Sequence, residues 1–148
     1  MNTTRSSCVA TIAQSGVLPY RRRGSGLQIL LITSRNTGRW VPPKGHIAPG
    51  LTPRQSAHKE AFEEAGVVGV LARNPVGHYF YRKSDVKGGA LCRVELYPMQ
   101  VERLVRSWPE KAVRARKWMA FRRAADAVWE EELGDLILEF GEQLLERA

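Results

Sequence analysis

Cysteine, histidine and, over most of its length, acid are what this 148-residue chain has least of. Its two cysteines, Cys8 and Cys92, lack CxxC spacing, which excludes a disulfide framework or a thiolate metal site and suits a reducing compartment. Three scattered histidines are too few for a zinc site. No apolar run approaches membrane-spanning length, and the start "MNTTRSSCVATIAQSG" has no long apolar core of the kind a signal peptide needs. A cytoplasmic location without a membrane partner is therefore expected. Glycine and proline are spread out, with no linker, repeat or low-complexity block. The chain is long enough for one full hydrophobic core and too short for two, so residues 1–148 are expected to form a single domain.

The shortage of acid is local. Residues 126–148 hold eight acids and one base, whereas residues 1–125 carry 22 bases and seven acids, or +15. A basic body favours polyanions, nucleic acid or small polyphosphates, over acidic-surface functions. Three of those seven acids, Glu60, Glu63 and Glu64, stand within five residues. The stretch around them reads as a helix with its start written out. Thr52 is an N-cap, Pro53 suits the first helical position, Gln55 completes a capping box and Gly66 ends the helix. At helical spacing the glutamates share an arc of about 100°, beside a small-residue stripe of Ala57, Ala61 and Ala65. A solvated acidic face would explain three glutamates taken alone. The glycine- and proline-rich loop 36–51 just upstream favours a second reading, a site for a hard divalent cation held by carboxylate oxygens and a loop carbonyl.

Strands are expected at residues 8–22 and 27–35 around the Gly24–Gly26 turn, and at 67–72. Residues 77–84 and 90–102 should pair antiparallel about the Asp85–Gly89 turn, and residues 116–121 form a short strand. Helices are expected over 122–131 and 132–146, the last with Leu133, Leu136, Ile137, Phe140 and Leu144 on one face. The order β-β-α-β-β-β-β-α describes an α/β fold with a mixed central sheet covered by helices.

Residues 45–67 resemble the Nudix box, G-x5-E-x7-R-E-U-x-E-E-x-G-U with U a bulky aliphatic, and the flanking strands suit that family's α/β/α sandwich. Gly45, Glu60, Glu63, Glu64, Gly66 and Val67 match. Leu51 stands in place of a glutamate, Lys59 in place of an arginine, and Ala61 is small. The missing glutamate and arginine usually brace the loop against the helix. Since both partners have changed, a substitute brace through packing of Leu51 is expected. The resemblance implies a phosphoanhydride hydrolase using Mg2+, with Mn2+ possible. Glu60, Glu64 and the Gly45 carbonyl would be direct ligands, and Glu63 would bind a further ion or act through water. The catalytic set is thus Glu60, Glu63 and Glu64. The general base stays open between Glu63, Glu95 and Glu102, with strand-face charge the simpler reading of the last two.

Within the family, "RWVPPKGHIAPG" is similar to diadenosine tetraphosphate hydrolases and diphosphoinositol polyphosphate phosphohydrolases. A highly anionic polyphosphate is the expected substrate. Arg21, Arg22, Arg23, Arg35, Arg39, Lys44, Arg82 and Lys83 are candidate phosphate partners, with Arg21, Arg23, Arg35, Arg39, Lys44 and Arg82 forming the preferred set. His78 and Phe80 alternate with Tyr79 and Tyr81, so one pair joins the core and the other can stack a base. Trp40 reads as a packing anchor. A non-catalytic nucleotide-binding module and an RNA 5′-pyrophosphate hydrolase are the alternatives; nucleic acid is a possible partner without a motif of its own.

Overall fold

The computed structural model describes residues 11–83 and 89–147. Cys8 and most of the Asp85–Gly89 turn lie outside these residues. The chain folds in the order β1 (Ile12–Arg23), β2 (Gly26–Thr33), β3 (Trp40–Val41), β4 (Lys44–His46), α1 (Pro53–Ala65), β5 (Val67–Leu71), β6 (Gly77–Arg82) and β7 (Leu91–Leu104). A 3-10 turn (Lys111–Val113), β8 (Arg116–Ala120), α2 (Phe121–Ala127) and α3 (Glu131–Glu146) complete it.

One mixed sheet runs β3-β2-β1-β7-β5, with β4 added to β1, β6 to β7 and β8 to β2. Its centre is the parallel pairing of β1 with β7, from Ile12 opposite Cys92 to Tyr20 opposite Gln100. The β1–β2 hairpin turns at Gly24, whose φ of +60° a side chain would resist. β6 and β7 pair antiparallel from Gly77 opposite Leu96 to Arg82 opposite Leu91, as the sequence indicates.

Two expectations need correction. The stretch 36–51 is not wholly loop: Lys44–His46 pairs antiparallel with Gln14–Gly16, and Trp40–Val41 with Ile32–Thr33. Short pairings such as these cannot be read as a period, because two or three residues carry none. The penultimate helix ends at Ala127, not 131. Val128 turns extended and bridges in parallel to Trp40, which breaks the helix before Glu130. Trp40 itself packs on the neighbouring core, in keeping with an anchor.

Period-two alternation sends side chains to two cores. Leu27, Ile29, Leu31, Val94 and Leu96 meet α2 and α3 through Phe121, Leu133 and Ile137 on one face. Leu30, Ile32, Tyr97 and Met99 meet Ala57, Ala61 and Ala65 of α1 on the other. The alanine stripe is fully buried, so α1 lies close to the sheet. Tyr79 is buried and Tyr81 packs beside it, which gives the tyrosines to the core and leaves His78 exposed and Phe80 half-buried.

The docking of α3 depends on an absent side chain. A methyl group at Gly141 would overlap the Phe121 ring. Gly141→Ala should therefore destabilise the protein by about 1–3 kcal/mol, because overpacking outweighs the helix propensity that alanine adds. Chemical denaturation checks this; a stability equal to or above the parent would show that the two helices have slack.

Candidate active site

Helix α1 is fixed at both ends. At its start the Thr52 hydroxyl accepts from the Gln55 backbone N–H at 3.1 Å and the Gln55 side-chain Oε1 accepts from the Thr52 N–H at 2.9 Å. At its end Gly66 adopts the left-handed conformation and donates to the Phe62 carbonyl. The last helical carbonyls, left without intrahelical partners, are met by the segment before β8 and by the first residue of that strand. Glu110 N–H donates to Glu63, the Trp108 indole to Glu64 at 2.9 Å, and Arg116 to Ala65 at 2.8 Å. That clamp holds the last turn, where the glutamates sit.

The three glutamates have different surroundings. Glu64 is only 7% exposed. It accepts from the Lys44 backbone N–H at 3.1 Å and pairs with the Arg114 guanidinium at 3.1 Å. Its pKa is still pushed up to about 7, since burial outweighs the pull of Arg114 and Lys44. Glu60 is half-buried and also raised, by burial first and then by Glu63. Its carboxylate lies so close to Gly45 that a Cβ there would collide with it. Glu63 points away to Lys59, at 2.8 Å.

Among the described residues no three acidic, histidine or cysteine side chains already form a cation site. The donor chemistry nonetheless suits a hard divalent ion. Glu60 and Glu64 line the same cleft as Gly45, all their donors are oxygens, and burial penalises both charges in a way that a cation beside them would reverse.

The expected brace takes another form. Leu51 is 37% exposed and contributes only a backbone turn to Ala48. The loop is tied to α1 instead by Ser56, whose buried hydroxyl accepts from the Ala48 N–H at 2.9 Å. Lys59, free of the loop, pairs along its own helix. A serine inside the box gives no sign of this from spacing alone.

The cleft, about 380 Å3, is open to solvent on one side. Arg35, Arg39, Lys44, Arg82 and Lys83 line it, and none forms an ion pair among the described residues. Arg21 and Arg23 do not line it. Arg21 donates to Gln28 and stacks on Trp118, and Arg23 closes the far hairpin. Arg22 instead reaches the Leu144 carbonyl. Glu95 accepts from the Tyr97 hydroxyl and, like Glu102, lies outside the cleft.

Sequence reasoning missed Arg114, Gln14 and Glu130. Arg114 is 50 positions beyond Glu64 and also pairs with Glu110 at 2.8 Å, so no local pattern announces it. Gln14, a buried polar residue in an apolar strand, accepts from the Tyr81 hydroxyl at 2.8 Å; such a residue is a signal that could have been read. Glu130 precedes α3 without capping it, and its buried Oε1 has no hydrogen-bond partner among the described residues.

The Nudix domain family model matches residues 11–140. Nudix hydrolase 16 of Arabidopsis thaliana is 28% identical over 84% of this chain and 77% of its own length. Human diphosphoinositol polyphosphate phosphohydrolase 3-alpha is 31% identical over 71% of the chain, which spans 62% of that relative's length. Among solved structures, a C. elegans Ap4A hydrolase binary complex superposes with a TM-score of 0.71 at 24% identity, covering 90% of this chain and 98% of that one. It shares the fold.

Two outcomes test this geometry. Ser56→Ala should cost about 1–2 kcal/mol, because the Ala48 N–H loses its partner. An unchanged denaturation midpoint would mean that water replaces the hydroxyl without cost. For Glu64 the folded pKa lies above that of a free carboxyl group, about 4.3. Its stabilising effect is therefore complete at low pH and lost as pH rises through about 7. In chelator, the melting temperature of the parent should fall between pH 5 and 8 relative to Glu64→Gln. Parallel pH profiles would remove the burial penalty.

Proposed function

Because this chain belongs to the Nudix domain family, we propose that it is a divalent-metal-dependent hydrolase of phosphoanhydride bonds in highly anionic polyphosphates, of the diadenosine polyphosphate or diphosphoinositol polyphosphate kind. The observation that carries this reading is one cleft lined by the buried carboxylate of Glu64, the half-buried carboxylate of Glu60 and five cations without acidic partners among the described residues. Glu60, Glu64 and the Gly45 carbonyl would hold magnesium or manganese, with Glu63 serving a further ion or acting through water. Such an ion neutralises phosphate oxygens and lowers the pKa of bound water.

The chain's own residues do the positioning. Arg35, Arg39, Arg82 and Lys83 meet the phosphate chain, and each charge-assisted contact contributes roughly 1.5–3 kcal/mol at best. Lys44 lies deeper, its ammonium 4.6 Å from the Tyr81 ring centre and its pKa lowered by burial. An anionic phosphate beside it would favour its charged form. Arg114 keeps Glu64 aimed into the cleft. Water adds to phosphorus as the bridging P–O bond breaks, leaving two phosphate products.

The test is chromatographic separation of the cleavage products of diadenosine tetraphosphate, a diphosphoinositol polyphosphate and ADP-ribose, with magnesium and with chelator. Chelator should abolish turnover, and Glu60→Gln and Glu64→Gln should each lose most of it in folded protein. The longer phosphate chains should be preferred, and that preference should shrink at high salt. Full activity in metal-free buffer rejects the mechanism; equal or better cleavage of ADP-ribose rejects the polyphosphate preference.

A further inference from the structure

Both oxygens of the Glu64 carboxylate have partners within the fold. Oε1 accepts from the Lys44 backbone N–H at 3.1 Å, and Oε2 faces the Arg114 Nη2 at 3.1 Å. Glu60, its neighbour in the cleft, forms no ion pair among the described residues. A divalent cation entering between them would find one carboxylate free and the other held by a positive charge of the protein's own.

Arg114 is anchored well enough to give that contact up. Its side chain is only 9% exposed and lines the cleft. Nε donates to the Glu110 carboxylate at 2.8 Å, and Nη1 to the Thr33 carbonyl at 3.0 Å. Glu110 is fixed in turn by its own N–H, which donates to the Glu63 carbonyl at 3.0 Å. The contact to Glu64 is the longest of the three, and it exceeds the roughly 2.7–2.9 Å of a tight charge-assisted bond. The two shorter bonds do not involve Glu64, so the guanidinium can release that carboxylate and keep its place in the wall.

We propose that Arg114 is an internal counter-ion that competes with a divalent cation for Glu64 and yields the carboxylate when the cation binds. This rests on the metal-dependent hydrolase reading of the cleft. A buried acid without a counter-ion would destabilise the fold, and Arg114 supplies one from within the chain. The same charge repels a dication, so the affinity of the site for metal is lower than its carboxylates alone would set. The Nη2 donor released from Glu64 stays at the cleft wall, where it can meet an anionic phosphate. Cation and phosphate each take one half of the Glu64–Arg114 pair, so each favours the binding of the other.

The sign of one affinity change separates this role from a purely structural one. If Arg114 did no more than aim Glu64, neutralising it would weaken cation binding; a competitor, once neutralised, strengthens it. Melting temperature followed against Mg2+ concentration gives the affinity without turnover. The measurement belongs at about pH 8.5, above the range in which Glu64 takes up its proton. Arg114→Gln should melt below the parent in chelator, yet bind Mg2+ about tenfold more tightly, a small part of the repulsion that a unit charge exerts at this depth. Arg114→Lys, which keeps the charge, should bind Mg2+ like the parent. Equal or weaker binding by Arg114→Gln overturns the proposal. Guanidinium NMR of the parent is a second measurement that needs no variant to fold. Saturating Mg2+ should shift the Arg114 Nη2 signal and speed its hydrogen exchange, while Nε stays protected by Glu110; an unchanged Nη2 signal overturns the proposal equally. Mg2+ binding by neither protein rejects the metal-dependent reading and the proposal with it. Tighter binding by Arg114→Gln in a chain that cleaves no polyphosphate would retain the counter-ion and reject the hydrolase reading instead.

Discussion

The burial of one carboxylate, Glu64, organises the rest. An acid at this depth is costly, and its elevated pKa shows that the partners supplied by the fold do not fully offset the cost. Arg114 reaches it from the segment before β8 and is held in turn by Glu110 at 2.8 Å and by the Thr33 carbonyl at 3.0 Å. Lys44 reaches it through the backbone, at the end of the proline-rich stretch. Two distant parts of the chain therefore converge on the oxygen pair of a third. Their convergence places Gly45 against Glu60 and opens the cleft between them. In the reading proposed above, a cation beside the carboxylate would offset that cost.

The altered family box can be understood from the same geometry. An arginine at position 59 paired with an acid at position 51 would tie loop to helix at the exposed rim. Here the tie is further inside, from the Ser56 hydroxyl to the Ala48 N–H, with the β4–β1 pairing beneath it. A neutral hydrogen bond inside the fold needs no opposing charges and is insensitive to salt. Leu51 is then free to face solvent, and Lys59 to pair with Glu63. The loop keeps its position although both usual partners are gone.

Much of this was legible in the sequence, and the limit is physical. The caps of α1, the alanine stripe, the β6–β7 pairing and the amphipathic last helix are local or periodic, and they appear where the spacing puts them. The short strands β3 and β4 carry too few residues to show a period. Arg114 could not be singled out among so many bases, because its role comes from a contact across the fold. Arg21 and Arg23 look equivalent to Arg35 and Arg39 in sequence. Only the hairpin geometry sends the first pair to Gln28 and the far turn, while the second pair meets the cleft.

The uneven charge of the chain now has a spatial meaning. The basic body supplies the cleft cations, and the acidic final segment begins where the cleft ends, at Glu130, Glu131 and Glu132. The first two helical acids lie in the opening turn of α3, where the helix dipole favours negative charge. The same carboxylates give the polar boundary of a second cavity beside the cleft, walled by Trp129, Phe80 and Leu91. For the polyphosphate substrate proposed above, these acids would mark the limit of its charged portion. The break in the helix at Val128 produces this arrangement, because a helix continuing through 131 would carry Trp129 and Glu130 round on its own surface instead of to the wall of the cavity beside the cleft. One parallel bridge, from Trp40 to Val128, thus joins the architecture of the sheet to the composition of the site.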